Sequence, residues 1–205
     1  MTKATYDAVA TDYAQRTAEA WPLVLERVAV FVKGLPARPR VLDIGCGPGR
    51  DSRLLAERGV RVASIDISAA MLAAGQLVAA AQADMRALPV LSSTFAGAWC
   101  QAALLHVPRS DVPNVLAELG RVLVPAGLLH ICTAEGSGEG WEPYPRGPGQ
   151  RWFVYHSEEG LATLLEGSGF EVLEVMKASA GRDWLNILAQ KVPTPLEQAT
   201  RHRYL

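Results

Sequence analysis

Val41-Leu-Asp-Ile-Gly-Cys-Gly-Pro-Gly49, followed by Ser64-Ile-Asp-Ile-Ser68, decides how this chain is read. An apolar strand runs into three glycines at alternate positions. A second apolar strand then ends in an acid, Asp66, 21 residues after Gly45. That layout opens a nucleotide-type pocket at the carboxyl edge of a parallel sheet. Gly45, Gly47 and Gly49 let the backbone approach a ligand where a β-carbon would collide. Asp66 is placed to accept hydrogen bonds from a ribose diol. The third glycine comes one position too early for G-x-G-x-x-G, where Arg50 stands instead. This weighs against a dinucleotide and its pyrophosphate. The implied ligand is a nucleoside with a short, non-phosphate tail.

Outward from that loop, strands and helices alternate. Residues 4–32 read as helix, broken near Trp21-Pro22, with Leu23, Arg27, Val30 and Phe31 as a partial stripe. Strands are expected at about 40–44, 61–67, 79–83, 97–105 and 128–133. Between them lie helices over 50–58, 69–74 and 110–124, with Ser68 as N-cap of the second. The continuous apolar run Leu128–Thr133 suits a sheet covered on both faces. Residues 134–156 are rich in glycine and proline and read as a long loop at the ligand edge, of the kind that carries function. A helix from about 157 to 167 and two closing strands, 171–176 and 184–190, complete the pattern. One domain is expected over 1–192, with 1–35 as an N-terminal helical lid and 193–205 as a loosely held tail.

Composition narrows the classes. Lys+Arg number 20 against 21 Asp+Glu, a formal charge of −1, so nothing resembles the basic face of a nucleic-acid binder. Cys46, Cys100 and Cys132 lie far apart in apolar settings and read as buried free thiols. The amino terminus has no apolar signal core, and Glu26-Arg27 interrupts the longest early apolar run. A cytoplasmic protein without membrane association is expected.

In this order, VLDIGCGPG, the acid closing the second strand, Gln82-Ala-Asp84-Met85 and Arg121-Val-Leu-Val-Pro-Ala-Gly127 resemble the class I S-adenosylmethionine-dependent methyltransferases of the small-molecule type. The resemblance is close over about residues 40–132. It implies an α/β, Rossmann-like fold: a seven-stranded, mostly parallel sheet of order 3-2-1-4-5-7-6, last strand antiparallel, with helices on both faces. It also implies S-adenosyl-L-methionine as cofactor and a small-molecule methyl acceptor. Carried over by position, Gly45 and Gly47 would line the methionine end, with Asp43 beneath the loop or receiving the amino group. Asp66 would take the ribose hydroxyls, Ile67 would pack on adenine, and Met85 would flank the ring. Asp84 would accept from the adenine amino group or, alternatively, cap a turn. Gln101 would stand beside the sulfonium or simply end its strand. The first helix would act as a lid from which Tyr13 or Arg16 reaches the methionine carboxylate.

Methyl transfer from a sulfonium needs alignment and a dry site more than acid–base chemistry, and a base only for some acceptors. His106 follows the fourth strand and is the candidate base, or else a histidine that orders the loop before Pro108. Asp183, from the closing hairpin, is a second candidate at the same mouth. Trp141, Tyr144, Trp152, Phe153 and Tyr155 surround Arg146 and Arg151. They form either an aromatic clamp for a planar or anionic acceptor or tethers for the loop. No acidic cluster near the fourth strand suggests a metal. Two rivals are weighed: a non-catalytic binder of the same cofactor, and an NAD-dependent oxidoreductase, which Arg50 and the lack of a Tyr-x-x-x-Lys pair disfavour.

Overall fold

The computed structural model of the chain describes residues 1–193. The proposed tail falls almost wholly outside the described residues. Two helices open the chain, α1 (Thr2–Arg16) and α2 (Pro22–Lys33), and Pro22 starts the second where its missing N–H costs nothing. The buried stripe of α2 is Val24, Arg27, Val28 and Phe31. It shares Arg27 and Phe31 with the expected one but takes Val24 and Val28 in place of Leu23 and Val30, because i, i+4 and i+7 from Val24 face the sheet.

The central sheet follows from runs of apolar residues. Its first strands are β1 (Arg40–Ile44), β2 (Arg61–Asp66), β3 (Ala80–Gln82) and β4 (Phe95–Gln101). Helix α3 (Arg50–Glu57) joins β1 to β2, and α4 (Ala69–Gly75) joins β2 to β3. Ser68 caps α4 as expected, its Oγ accepting the Met71 N–H at 3.1 Å. Helix α5 (Val112–Val122) buries Val112, Val115, Leu116, Leu119 and Val122 against the sheet. Each such side chain contributes about 1.5–3 kcal/mol. Strand β5 (Leu123–Ala134) starts earlier than the sequence suggests. Its pairing with β4 jumps from Phe95↔Leu123 to Gly97↔Leu128, so Val124-Pro-Ala-Gly127 forms a kink, with Ala126 at φ 64°.

Residues 134–156 are not an open loop. Strands β6 (Glu139–Pro143) and β7 (Gln150–Val154) pair as an antiparallel hairpin with Trp141 opposite Trp152. Glycine and proline density hides the short strand pattern there. Helix α6 (Glu158–Gly167) and strands β8 (Phe170–Ser179) and β9 (Asp183–Lys191) follow. The seven-stranded sheet has the order β3-β2-β1-β4-β5-β9-β8. It is the expected order once the extra hairpin's two strands are counted, and β9 runs antiparallel to both neighbours. One core lies between the sheet and α5/α6, and a second packs α2 against Val41, Trp99 and Leu128. No helix among the described residues is long and apolar enough to cross a membrane. All three cysteines are free thiols, Cys100 and Cys132 buried.

Candidate functional site

At the carboxyl end of β1 the chain must leave the sheet sharply, and Gly45 (φ 65°) and Gly47 (φ 53°) make the turn in left-handed backbone that other residues resist. A β-carbon on Gly45 would overlap that of Ala103. One on Gly47 would meet only Tyr13 Cε1, at 4.0 Å. The first glycine is thus packed against the fourth strand's exit, and the second faces open space. Asp66 spans the loop: Oδ2 accepts the Gly47 N–H and Oδ1 the Ser68 N–H, each at 2.8 Å. Each oxygen keeps acceptor capacity. Burial pushes the Asp66 pKa up despite those donors.

Beneath the loop is a polar network. Ser52 Oγ donates to Asp43 Oδ2 at 2.5 Å and lies 2.8 Å from Ser64 Oγ. Asp43 is 1% exposed, and burial, reinforced by Asp51, lifts its pKa to about 8. Asp51 receives Trp99 Nε1–H at 3.0 Å and Arg50 Nε–H at 2.6 Å.

Above these elements lies a cavity of about 240 Å³. It brings together Asp43, Gly45, Gly47, Asp66, Ile67, Asp84, Met85, Gln101, Tyr13 and His106 of the expected set. Helix α1 roofs it, held by contacts made across the whole chain. Ser68 Oγ donates to Asp7 at 2.6 Å, Thr5 Oγ1 to the Gln150 carbonyl at 2.7 Å, and the Trp152 N–H to Thr2 Oγ1 at 2.8 Å. Tyr6, Arg50 and Asp51, outside the expected set, also line the cavity. Tyr6 lies seven residues before Tyr13, two helical turns away on the same face, and that spacing was the available signal. Arg50 and Asp51 open the helix behind the glycine loop, where cavity-facing residues are to be sought.

His106 sits in the wall with both nitrogens occupied. Nδ1 is 2.7 Å from the Trp152 carbonyl, which can only accept, so Nδ1 carries the proton. Nε2 therefore accepts from Tyr6 Oη at 2.8 Å. Burial, followed by the nearby Arg151 and Arg182 charges, lowers its pKa to about 4. The expectation of a free base at His106 is revised accordingly: the ring is neutral and its lone pair is taken. Gln101 Oε1 is engaged too, 3.0 Å from Nε2 of the buried His130. Asp84 makes the turn contacts raised as one alternative for it, from a place in the cavity lining. It holds Arg86 through the backbone N–H and the guanidinium, which keeps its pKa low.

Six expected site residues are not in the cavity wall. Arg16 is turned toward Tyr144 Oη (2.7 Å) and Asp12 (2.8 Å), one helical turn too far along α1. Asp183 begins β9 in an exposed position, where the strand pairing carries it away from the mouth. Arg146 lies exposed in the turn of the extra hairpin. Trp152 contributes its backbone to His106 and Thr2, while its indole meets Trp141 and Glu139. Tyr155 Oη is bonded to Glu142 and Arg182. Arg151 stands just behind the wall, its Nη1 3.5 Å from Tyr6 Oη. The aromatic cluster is therefore a tether for α1 and the hairpin, and it meets the cavity wall through the Trp152 carbonyl and the Phe153 ring on His106 and through Tyr144 and Arg151 beside Tyr6.

Residues 41–127 match a family model described as a methyltransferase domain. The chain is 35% identical over 144 residues to a malonyl-acyl-carrier-protein O-methyltransferase of Enterobacter lignolyticus (strain SCF1), a match covering 65% of this chain and 56% of that protein. The chain spans about half the length of the curated relatives it matches. A crystal structure of a Burkholderia thailandensis 1,6-didemethyltoxoflavin N1-methyltransferase, with 1,6-didemethyltoxoflavin and S-adenosylhomocysteine bound, is similar at a TM-score of 0.73 and 23% identity. That likeness covers 93% of this chain and 87% of that one. The cyclase SpnF is similar at a TM-score of 0.75 and 18% identity, over 94% and 96%. These two likenesses are of fold, and a fold alone does not fix a chemistry.

Proposed function

We propose that the chain carries a class I S-adenosylmethionine-dependent methyltransferase domain and that it moves a methyl group to an oxygen or nitrogen of a small-molecule acceptor. The observation that carries the reading is the Gly47–Asp66 clasp at the floor of the roofed cavity. It leaves carboxylate acceptor capacity beside backbone that admits close approach. Those residues fit a nucleoside with an amino-acid tail. Asp66 would receive the ribose hydroxyls, Ile67 and Met85 the faces of the base, and Asp84 its amino edge. Gly45 and Gly47 would pass the tail toward Tyr13 and Arg50, with Asp43 beneath. Bound there, S-adenosylmethionine supplies an electrophilic methyl group on a positively charged sulfur. The chain's own part is to align the acceptor and, with α1 closed, to exclude water. O-methylation is the chemistry named for the Enterobacter relative and N-methylation that of the Burkholderia neighbour. Both fall within the proposal, and neither acceptor is assigned to this chain.

Thermal unfolding with S-adenosylhomocysteine, S-adenosylmethionine and NAD tests it, in wild type and Asp66→Ala. A ligand at 100 times its dissociation constant adds about 2.7 kcal/mol to native stability. The first two should raise the transition. Asp66→Ala should weaken their binding by about 1–3 kcal/mol through loss of a charged hydrogen-bond acceptor. A shift with NAD alone, or none at saturation, refutes the reading. Tight homocysteine-ligand binding with no methyl transfer to any acceptor would favour the non-catalytic binder.

A further inference from the structure

Tyr6 and His106 both line the cavity, and the hydrogen bonds that join them run in one direction only. The Trp152 carbonyl fixes that direction, because a carbonyl accepts and never donates. His106 Nδ1–H donates to it at 2.7 Å, which leaves Nε2 as a bare lone pair. Tyr6 Oη in turn donates its single proton to Nε2 at 2.8 Å. Burial, reinforced by Tyr13, raises the Tyr6 pKa, so the phenol keeps that proton. A phenol whose proton is committed shows a neighbour nothing but lone pairs. Arg151 Nη1 meets one of these only at 3.5 Å. At the Tyr6 hydroxyl the wall thus accepts hydrogen bonds and offers none. The cations lining the cavity do not reverse this polarity, since each is paired. Lys3 meets Asp7 and Arg50 meets Asp51, both at 2.6 Å, and Arg86 meets Asp84 and Asp111 at 2.7 Å.

The pair also stands near the glycine loop. The His106 N–H closes a turn on the Ala103 carbonyl at 3.0 Å, and Ala103 is the residue that a β-carbon on Gly45 would strike. Tyr6 is therefore one short turn from the backbone proposed to pass the cofactor's tail. A hydroxyl methylated at oxygen becomes an oxonium, a far stronger acid than an imidazolium, and it must shed its proton. His106 is a weak base, because burial, followed by the charges of Arg151 and Arg182, lowers its pKa to about 4. A base of that strength does not ionise a free hydroxyl in advance. It does take the proton of an oxonium, or of a methylated nitrogen of low basicity.

We infer that Tyr6 is a catalytic residue that selects the acceptor by hydrogen-bond polarity: the acceptor is an uncharged hydroxyl or N–H group whose hydrogen points at Tyr6 Oη, and it is not a carboxylate. The inference rests on the methyltransferase reading and narrows it. As the acceptor's lone pair forms the new bond to the methyl carbon, the methyl–sulfur bond breaks and its electron pair stays on sulfur. The acceptor's proton passes to Tyr6 Oη while the Tyr6 proton passes to His106 Nε2. The products are a neutral methyl ether or N-methyl compound, a neutral thioether and an imidazolium. The single positive charge of the sulfonium thus ends on His106, which returns its proton through Tyr6 to water when the product leaves. His106 acts only through Tyr6, as a positioning residue that orients the phenol and holds the proton.

The test uses the full chain saturated with S-adenosylhomocysteine, titrated calorimetrically with phenol, pyridine N-oxide and anisole. These are rings of similar size: phenol donates, the N-oxide only accepts, and anisole has no hydrogen to give. Phenol should bind about two- to tenfold tighter than either, as expected for one neutral hydrogen bond. Tyr6→Phe should abolish that preference. In His106→Leu the Tyr6 proton is released, so the N-oxide should gain on phenol, an effect that lost packing alone does not produce. Equal affinities in wild type, no binding of phenol, or a preference that survives Tyr6→Phe overturns the inference. Should Tyr6→Phe fail to fold, wild type and His106→Leu still decide. Nitrogen NMR of labelled histidine reads the direction of the chain itself. In the ligand-free protein at about pH 7, His106 should be neutral with its proton on Nδ1, and a proton on Nε2 refutes the polarity. Methyl groups moved from labelled S-adenosylmethionine onto compounds of a metabolite extract should resist mild alkali, and Tyr6→Phe should slow that labelling by about 100-fold. Label released as methanol marks an ester and overturns the inference, as does an unchanged rate in Tyr6→Phe. Failure to saturate with S-adenosylhomocysteine is a separate result, which strikes the methyltransferase reading itself.

Discussion

The floor of the cavity and its roof are built on different principles. The floor is local: Gly47 reaches Asp66 across 19 residues, Ser52 reaches Asp43 across nine, and Ser68 reaches Asp66 across two. Its geometry comes from backbone conformation at a few glycines. The roof and acceptor wall are assembled from a distance. Tyr6 meets His106 across 100 residues, Arg16 meets Tyr144 across 128, and Trp152 meets Thr2 across 150. Floor and wall also respond to protons with opposite sign, since the floor holds carboxylates pushed up and the wall holds His106, pushed down, as is the buried His156 elsewhere in the fold. A floor fixed by backbone suits a ligand of constant shape. A wall made of side-chain contacts is where an acceptor is specified.

The proton difference gives the largest predicted effects. Asp43 is lifted from 3.8 to about 8, so its protonated form is favoured in the fold. That contribution is complete below about pH 4 and is lost as pH rises through 8. Asp43→Asn, which cannot ionise, should gain on wild type by about 1.4 kcal/mol per pH unit across that window. His156 is 1% exposed, neither nitrogen has a partner, and burial lowers its pKa from 6.5 to about 4. Its contribution is present above 6.5 and is lost as pH falls toward 4. His156→Leu should therefore gain on wild type in the opposite direction, at the same slope. Denaturant unfolding at half-unit pH steps reads both, and parallel curves for wild type and either variant would break the contrast.

Next come the two glycines of the floor. Gly45→Ala combines left-handed strain of about 1–2 kcal/mol with overlap against Ala103, worth about 1–3 kcal/mol more. Gly47→Ala carries the strain alone, because its β-carbon finds open space. Stability measurements should rank Gly45→Ala well below Gly47→Ala, while both weaken binding of S-adenosylhomocysteine. Equal destabilisation would mean that the floor is not set by the packing of Gly45 on the fourth strand's exit.

This asymmetry also explains what the sequence could disclose. The glycine turn and the Ser68 cap follow from contacts between residues close in the chain, where period and turn chemistry are informative, whereas the sheet order, set by pairings such as Val41 with Gly97 and Leu128 with Gln190, was legible only through the family resemblance. Arg16 and Asp183 were misplaced because their positions depend on how α1 and the last strand dock, which no local pattern encodes. His106 lines the cavity as expected, but its lone pair is already engaged. Its state is decided by a carbonyl at 152 and a phenol at 6, partners visible only after folding. The hairpin at 139–154 was hidden because glycine and proline dominate its composition while its strands are only five residues each.

The smallest effect divides roof from floor most directly. Were Arg16 a cofactor ligand, its removal would cost affinity. In the structure its guanidinium instead ties the end of α1 to Tyr144 and Asp12, on an exposed side chain. Such a link is worth about 0.5–1 kcal/mol of stability. Arg16→Ala should therefore lower stability by that amount and leave S-adenosylhomocysteine affinity within about twofold, and Tyr144→Phe should reproduce much of the stability loss. If affinity instead falls tenfold or more in Arg16→Ala and not in Tyr144→Phe, Arg16 reaches the ligand when it binds. The end of α1 would then belong to the floor, and the boundary between the two regions would run through the helix itself.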